Sequence, residues 1–279
     1  MPHVAISGAT GHIGGAVAQI LSNAEVPARL LVRDPSRAPK LPHTEVMRAQ
    51  YEYVPECVTA LTGIDTVFMV SIVDGSDQLL THQDFIDAAV KAGVRQVVYL
   101  SFVGAAEDSP QPYARTHGAT ESYLGASGLD VTVVRSNYFA EALLHFHQDG
   151  YIRGPAGDGR IAAVARQDVA AAVAAVMMNP TSHVGKTYEL TGPEAVDFHG
   201  IADIFSHVLG EDCTYVAEID ADAHANRLHY GAPPEVLDAW LSAYVSVRHG
   251  THGHVTGDVE HLTGQLPTST EDTLSRLQE

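Results

Sequence analysis

Residues 4–14, Val4-Ala5-Ile6-Ser7-Gly8-Ala9-Thr10-Gly11-His12-Ile13-Gly14, constrain this chain more than any other stretch. A short apolar run opens directly into glycines at positions 8, 11 and 14. Apolar residues then recur at Ile13, Val17, Ile20 and Leu21, the spacing of one buried helix face. Strand, glycine turn and helix, in that order, make the opening of a βαβ unit that takes a dinucleotide. Gly8 lets the chain leave the strand sharply. Gly11 removes a β-carbon where a pyrophosphate must approach, and Gly14 lets the helix lie close to the sheet. The helix start offers unpaired N–H groups and the positive end of its dipole to the phosphates. Thr10, His12 and Ile13 share this turn and join the three glycines as predicted coenzyme contacts.

Downstream, strands and helices alternate. Ala28–Arg33 reads as a second strand, Thr44–Gln50 as a third, Ile64–Val70 as a fourth, Gln96–Leu100 as a fifth and Val131–Arg135 as a sixth. Helical spacing fills Pro55–Leu61 and Asp77–Ala92, the latter stopped by Gly93, and returns within Pro110–Ser127. Such alternation implies right-handed crossovers and a doubly wound parallel sheet covered on both faces, an α/β fold. Ligands bind such sheets beyond the carboxyl ends of the strands. That rim collects the first glycine turn, Arg33, Ser71 at the exit of the fourth strand and Ser101 at the exit of the fifth. At the end of the second strand Arg33 precedes Asp34, with Arg37 and Lys40 close behind. Together with Arg29 they put four of the 16 Lys and Arg into a stretch where even spreading would put fewer than one. A guanidinium grips a phosphate in a two-pronged way that a carboxylate repels, so Arg33 and Arg37 favour NADP(H) over NAD(H).

Beyond residue 150 the pattern loosens. Residues 154–160 read as a loop, Gln167–Met178 as an alanine-rich helix packed on the sheet, and Tyr188–Pro193 as a strand and turn. From Asp197 the chain reads as a mostly helical lobe, whose Pro234–Val247 helix aligns Val236, Leu237, Trp240, Leu241, Tyr244 and Val245 on one core or interface stripe. The expected division is residues 1–150 as the dinucleotide-binding domain and 151–279 as a substrate-side lobe, with 161–193 returning to the sheet. A net charge of −18 argues against nucleic-acid and anionic-membrane partners. The N-terminus lacks a basic head and apolar signal core, and Cys57 and Cys213 form no motif, which points to a reducing cytoplasm.

Together these blocks resemble the NmrA-like, atypical short-chain dehydrogenase/reductase family, in particular its bacterial quinone reductase and triphenylmethane reductase branch. The resemblance runs through Gly8–Gly14, Leu31-Val32-Arg33-Asp34-Pro35 and Ala88-Ala89-Val90-Lys91-Ala92-Gly93-Val94. It continues in His117-Gly118-Ala119-Thr120-Glu121, Arg166-Gln167-Asp168-Val169-Ala170 and Leu190-Thr191-Gly192-Pro193. It implies a Rossmann domain with a smaller, mostly helical C-terminal lobe, NADP(H) as coenzyme and a substrate cleft between the two. Where many short-chain dehydrogenases carry Tyr-x-x-x-Lys, this chain has Tyr113-Ala114-Arg115-Thr116-His117. His117 is implied to face the cofactor from a helix. Tyr113 is either an acid that protonates the reduced substrate or a loop aromatic following Pro112. Tyr138 and Phe139 match an aromatic pair that walls the nicotinamide or a flat substrate. The run His249-Gly250-Thr251-His252-Gly253-His254 lacks the fixed spacing of a metal site, so no metal is expected, and the loop is expected to border the substrate cleft.

The leading expectation is an NADPH-dependent oxidoreductase that delivers hydride to a small, flat, conjugated electron acceptor such as a quinone, with the final proton available from water. The alternative is a non-catalytic NADP(H)-sensing regulator of the NmrA type. A nucleotide-sugar epimerase is disfavoured by His117 standing where that group has lysine. The assembly is left open, a homodimer being the state carried forward.

Overall fold

Seven parallel strands carry the architecture. The computed structural model describes residues 3–72 and 77–278. In chain order the core elements are β1 (Val4–Ser7), α1 (His12–Asn23), β2 (Ala28–Val32), β3 (Thr44–Arg48), α2 (Pro55–Leu61), β4 (Thr66–Val70), α3 (Gln78–Ala92), β5 (Gln96–Phe102), α4 (Pro112–Ala126) and β6 (Asp130–Ser136). Short strands β7 (His147–Gln148), β8 (Tyr151–Gly154) and β9 (Arg160–Ile161) follow, then α5 (Arg166–Met178) and β10 (Thr187–Leu190). The sheet order is β10-β6-β5-β4-β1-β2-β3, all neighbours parallel. This is the doubly wound Rossmann order with one strand added beyond β6. Its direction of winding reverses between β1 and β4, where a crevice must open.

Burial explains the pattern. Every residue of β1, β2 and β5 is buried, as strands covered on both faces require. One face packs α1 and α5 through Val17, Leu21, Val169, Val173 and Met177. Leu21 and Val173 are fully buried, and a side chain of that kind contributes about 1.5–3 kcal/mol on leaving water. The small residues Ala170, Ala172 and Ala174 keep α5 tight against the sheet. The other face packs α2, α3 and α4 through Leu61, Phe85, Ile86 and Leu124. Gly93 ends α3 at φ +81°, a left-handed cap that glycine adopts without a β-carbon penalty.

The second half holds more strand than its sequence suggests. β7 and β8 pair antiparallel, and β8 pairs parallel with β12 (Thr214–Ala217), so the segment expected to be loop begins inside a small sheet. β9 pairs with β11 (Val196–Asp197). Helices α6 (Phe198–Leu209), α7 (Asp220–Ala225), α8 (Pro234–Arg248), α9 (Asp258–Thr263) and α10 (Thr270–Ser275) supply the rest. A separate core gathers Leu143, Ile152, Phe198, Phe205, Tyr244 and Leu274. On α8, Leu237, Leu241 and Tyr244 are buried as the stripe predicts, but Trp240 is 46% exposed and meets Tyr230 instead. No helix among the described residues is long and apolar enough to cross a membrane.

Candidate active site

The turn between β1 and α1 sits at the winding reversal. Gly8 has φ +61°, and Gly11 N–H closes the turn on Gly8 O at 2.8 Å. A β-carbon on Gly14 would lie 2.4 Å from Gly8 O and 2.6 Å from Gly8 C, so the helix and the turn touch backbone to backbone. A β-carbon on Gly11 would meet only Gly8 O, at 3.3 Å, and otherwise face open space. No side chain caps α1, so its first N–H groups remain for a ligand. Thr10, Gly11 and His12 are exposed at this lip, and Ile13 is buried below it. Ser7 anchors the lip, its hydroxyl 2.9 Å from both Phe68 O and Val70 N and 2.5 Å from the Tyr51 hydroxyl.

From this lip a cavity of about 690 Å³ runs between the ends of β2, β3 and β4, lined by Gly11, Arg33, Tyr51, Ser71, Ile72 and Phe85 among others. Tyr51 stacks on Phe85 at 4.2 Å. The loop leaving β4 is pinned by Ile72 N–H donating to His82 Nε2 at 3.2 Å.

The cationic rim takes a narrower form than the sequence suggests. Asp34 Oδ1 accepts from Ser36 N–H at 3.0 Å and from the Ser36 hydroxyl at 2.7 Å. Those bonds, with help from Arg37 and Arg48, hold the Asp34 carboxyl below its ordinary range. The carboxylate is thus committed to capping the Pro35–Arg37 turn. Arg48, which the sequence did not single out, closes the rim at the end of β3, its Nε donating to Arg33 O at 3.3 Å. Arg29 does not belong to the rim. It is buried at the opposite end of β2, bonded to Glu45, Ala60 O and Thr62 O.

At the inner end a smaller cavity of about 250 Å³ is walled by Ile13, Phe102, Gln111, Tyr113, Tyr138 and Phe139, with others. It shares Val70 and Ser71 with the large cavity, so the two adjoin along the carboxyl edge of the sheet. Tyr113 belongs to the first turn of α4 rather than to a loop. Burial raises its phenol pKa, an effect that the neighbouring Ser71 hydroxyl opposes. Its ring meets His117 edge-on at 4.6 Å. His117 lies beneath that ring and lines neither cavity; its Nδ1 is 2.9 Å from the Tyr99 hydroxyl, while its buried Nε2 has no partner among the described residues. Ser101 touches the inner cavity, but its hydroxyl is donated to Glu121 at 2.5 Å, beside the fork that Arg135 makes on the same carboxylate. The Arg166 guanidinium sits 5.4 Å from the centre of the Phe139 ring.

The histidine-rich segment contributes one buried side chain here. His252 is fully buried, with Nδ1 3.2 Å from Asn137 Oδ1 and Nε2 3.2 Å from Ser246 Oγ. Among the described residues no three His, Cys, Asp or Glu side chains gather to hold a metal. Burial pushes His82 down to about 4, His252 to about 4 and His117, also facing His82, to about 3. An unfolded histidine titrates near 6.5, so the unfolded chain takes up protons first as pH falls. The stability these groups lend is complete above about pH 6.5 and drains away as pH drops toward 4, on the order of 3 kcal/mol for each histidine. Thermal unfolding followed against pH is expected to show a midpoint falling throughout that window. A flat midpoint would contradict the neutral, buried state of all three.

The comparisons with known proteins agree with this geometry. A family model described as NAD(P)H-binding matches residues 8–180. Quinone oxidoreductase 2 of Escherichia coli is 31% identical over 98% of both chains. The crystal structure of an NADPH-dependent quinone oxidoreductase from Escherichia coli complexed with NADPH superposes with TM-score 0.88 at 29% identity, covering 99% of this chain and 100% of that one. Triphenylmethane reductase from Citrobacter sp. complexed with NADP(H) gives TM-score 0.83 at 25% identity, covering 98% and 99% of the two chains. The chain belongs to the NAD(P)H-binding, NmrA-like family of atypical short-chain dehydrogenases/reductases.

Proposed function

We propose that this protein is an NADPH-dependent reductase that passes hydride to a small, flat, conjugated acceptor of the quinone class. The observation that carries the reading is the pair of adjoining cavities, the outer one lined by the glycine turn and Arg33 and the inner one by aromatic side chains. The residues present fit the coenzyme: the backbone contact at Gly14 keeps α1 against the turn and leaves its N–H groups facing the outer cavity. When bound, NADPH supplies the hydride. Gly8, Thr10, Gly11, His12 and Gly14 hold the diphosphate, and Arg33 and Arg37, joined by Arg48, hold the extra phosphate on the adenosine ribose. Ser71 lines both cavities and Tyr113 the inner one, with His117 supporting the Tyr113 ring from beneath. Ile13, Phe102 and Phe139 keep water out of the inner cavity, where an unscreened acceptor lies against its neighbours in a fixed orientation. The two cysteines, both free and buried, fit a reducing cytoplasm.

The test is NADPH oxidation screened against quinones, enones and aldehydes, with NADH as control. Turnover with a quinone and NADPH, well above that with an aldehyde or with NADH, is the expected result. Tight NADPH binding with no turnover on any acceptor would instead make the protein a coenzyme sensor.

A further inference from the structure

We propose that Tyr138 is the catalytic acid of this site, protonating the acceptor oxygen as hydride arrives, with Gln111, Ser246 and His252 as its positioning residues. The proposal rests on the reductase reading above and adds to it the source of the proton, which the sequence left to water.

Tyr138 is held at the inner cavity through both its backbone and its ring. Its own N–H donates to Asn137 Oδ1 at 2.8 Å, and its carbonyl accepts from Val164 N–H at 2.9 Å. Its ring stands edge-on to Phe102 at 5.2 Å and to His252 at 4.7 Å. Asn137 Nδ2 donates to His252 O at 2.9 Å, which ties the far loop to the end of β6. The Tyr138 hydroxyl lies 2.9 Å from Gln111 Nε2, and the Ser246 hydroxyl is near enough to lower its pKa. Ser246 in turn meets His252. The phenol thus stands among buried polar side chains on the wall of a mostly apolar cavity.

Gln111 points to a ligand. It is only 6% exposed and lines the same cavity, yet its Oε1 has no partner among the described residues. Whichever way the carboxamide is turned, one end bonds Tyr138 and the other is left over. An unpaired buried amide end is a standing cost that a ligand bearing oxygen at its edge relieves. The cavity thus suits a flat ring whose edge oxygen reaches both Tyr138 and Gln111. Burial raises the Tyr138 phenol above its ordinary value, so it still carries its proton at neutral pH. Tyr113, by contrast, has the Ser71 hydroxyl beside its phenol and the His117 ring beneath it, with no hydrogen bond to its hydroxyl among the described residues.

The step balances with a quinone and NADPH. Two electrons and one proton arrive as hydride at one carbonyl oxygen, and an electron pair shifts through the conjugated ring onto the opposite carbonyl oxygen. There the new O–H bond forms as the Tyr138 O–H bond breaks. NADPH is oxidised, the quinone becomes a hydroquinone, and the Tyr138 phenolate recovers a proton from water as product leaves.

The test compares Tyr138→Phe with wild type on a dimethyl- and a dichlorobenzoquinone of the same substitution pattern, which match in shape but differ in the basicity of the oxyanion formed. For the dimethyl quinone, whose oxyanion is the more basic, kcat is expected to fall by about a hundredfold. For the dichloro quinone the loss should shrink severalfold or more, with affinity for NADPH unchanged. Gln111→Leu should reproduce the same bias in weaker form. Equal losses on both quinones would reduce Tyr138 to packing and overturn the proposal, as would no loss on either. If wild type itself oxidises no NADPH with any quinone, the reductase reading falls and the proposal falls with it.

Discussion

Gly14→Ala is expected to lower stability by about 3 kcal/mol, a fall of roughly 10 °C in thermal midpoint, and to abolish useful coenzyme affinity. The new methyl carbon would sit 2.4 Å from Gly8 O and 2.7 Å from Ser7 O, and both are backbone atoms. No side-chain rotation relieves such a contact, so either α1 lifts from the sheet or the turn moves away. Lifting α1 exposes Val17 and Leu21, and moving the turn disturbs Ser7 and its bonds to β4. Gly11→Ala supplies the control. Its β-carbon meets only Gly8 O at 3.3 Å, and its φ of −94° suits any residue. That variant should fold within about 1 kcal/mol of wild type while its affinity for NADPH drops about tenfold or more, because the methyl group stands where the diphosphate must lie. Calorimetry and coenzyme titration on the two variants separate the roles. Gly14→Ala with wild-type stability would contradict the backbone contact described here.

Much of this was legible because the physics is local. Glycine spacing after an apolar run fixes a strand, a turn and a helix in sequence. Apolar runs such as Gln96–Leu100 announce strands buried on both faces, and β5 extends that run by two residues. The charge cluster was legible only in outline. Arg29 and Arg33 are four residues apart, about 13 Å along a strand, so one reaches the rim while the other is buried at the far end. Residue counts carry no such direction. Arg48 arrives from the neighbouring strand, where register rather than sequence proximity places it opposite Val32. Asp34, directly after Arg33, has its carboxylate engaged by Ser36. His117 was expected at the cofactor; it lies under the Tyr113 ring and lines neither cavity. The buried polar cluster from Gln111 to His252 was not legible at all. It joins residues 111, 138, 246 and 252, drawn together by the packing of α8 and its following loop against the sheet edge. Nothing in the local pattern around any of them signals the others.

The second large effect concerns the coenzyme's extra phosphate. Arg33 lines the outer cavity at the end of β2, with Arg37 and Arg48 both near enough to act on Asp34. A charge-assisted bond to phosphate contributes about 1.5–3 kcal/mol. Arg33→Ala should therefore weaken NADPH about tenfold to a hundredfold and NADH far less. Because the rim is exposed, the preference should also shrink as salt is raised.

The central claim is that NADPH lies across the opening turn with its extra phosphate on this rim. Titrating wild type and Arg33→Ala with NADPH and with NADH, at low and high salt, tests it most directly. The predicted result is tighter binding of NADPH by wild type and a preference that collapses in the variant. No affinity for either coenzyme, or equal losses for both, would contradict it.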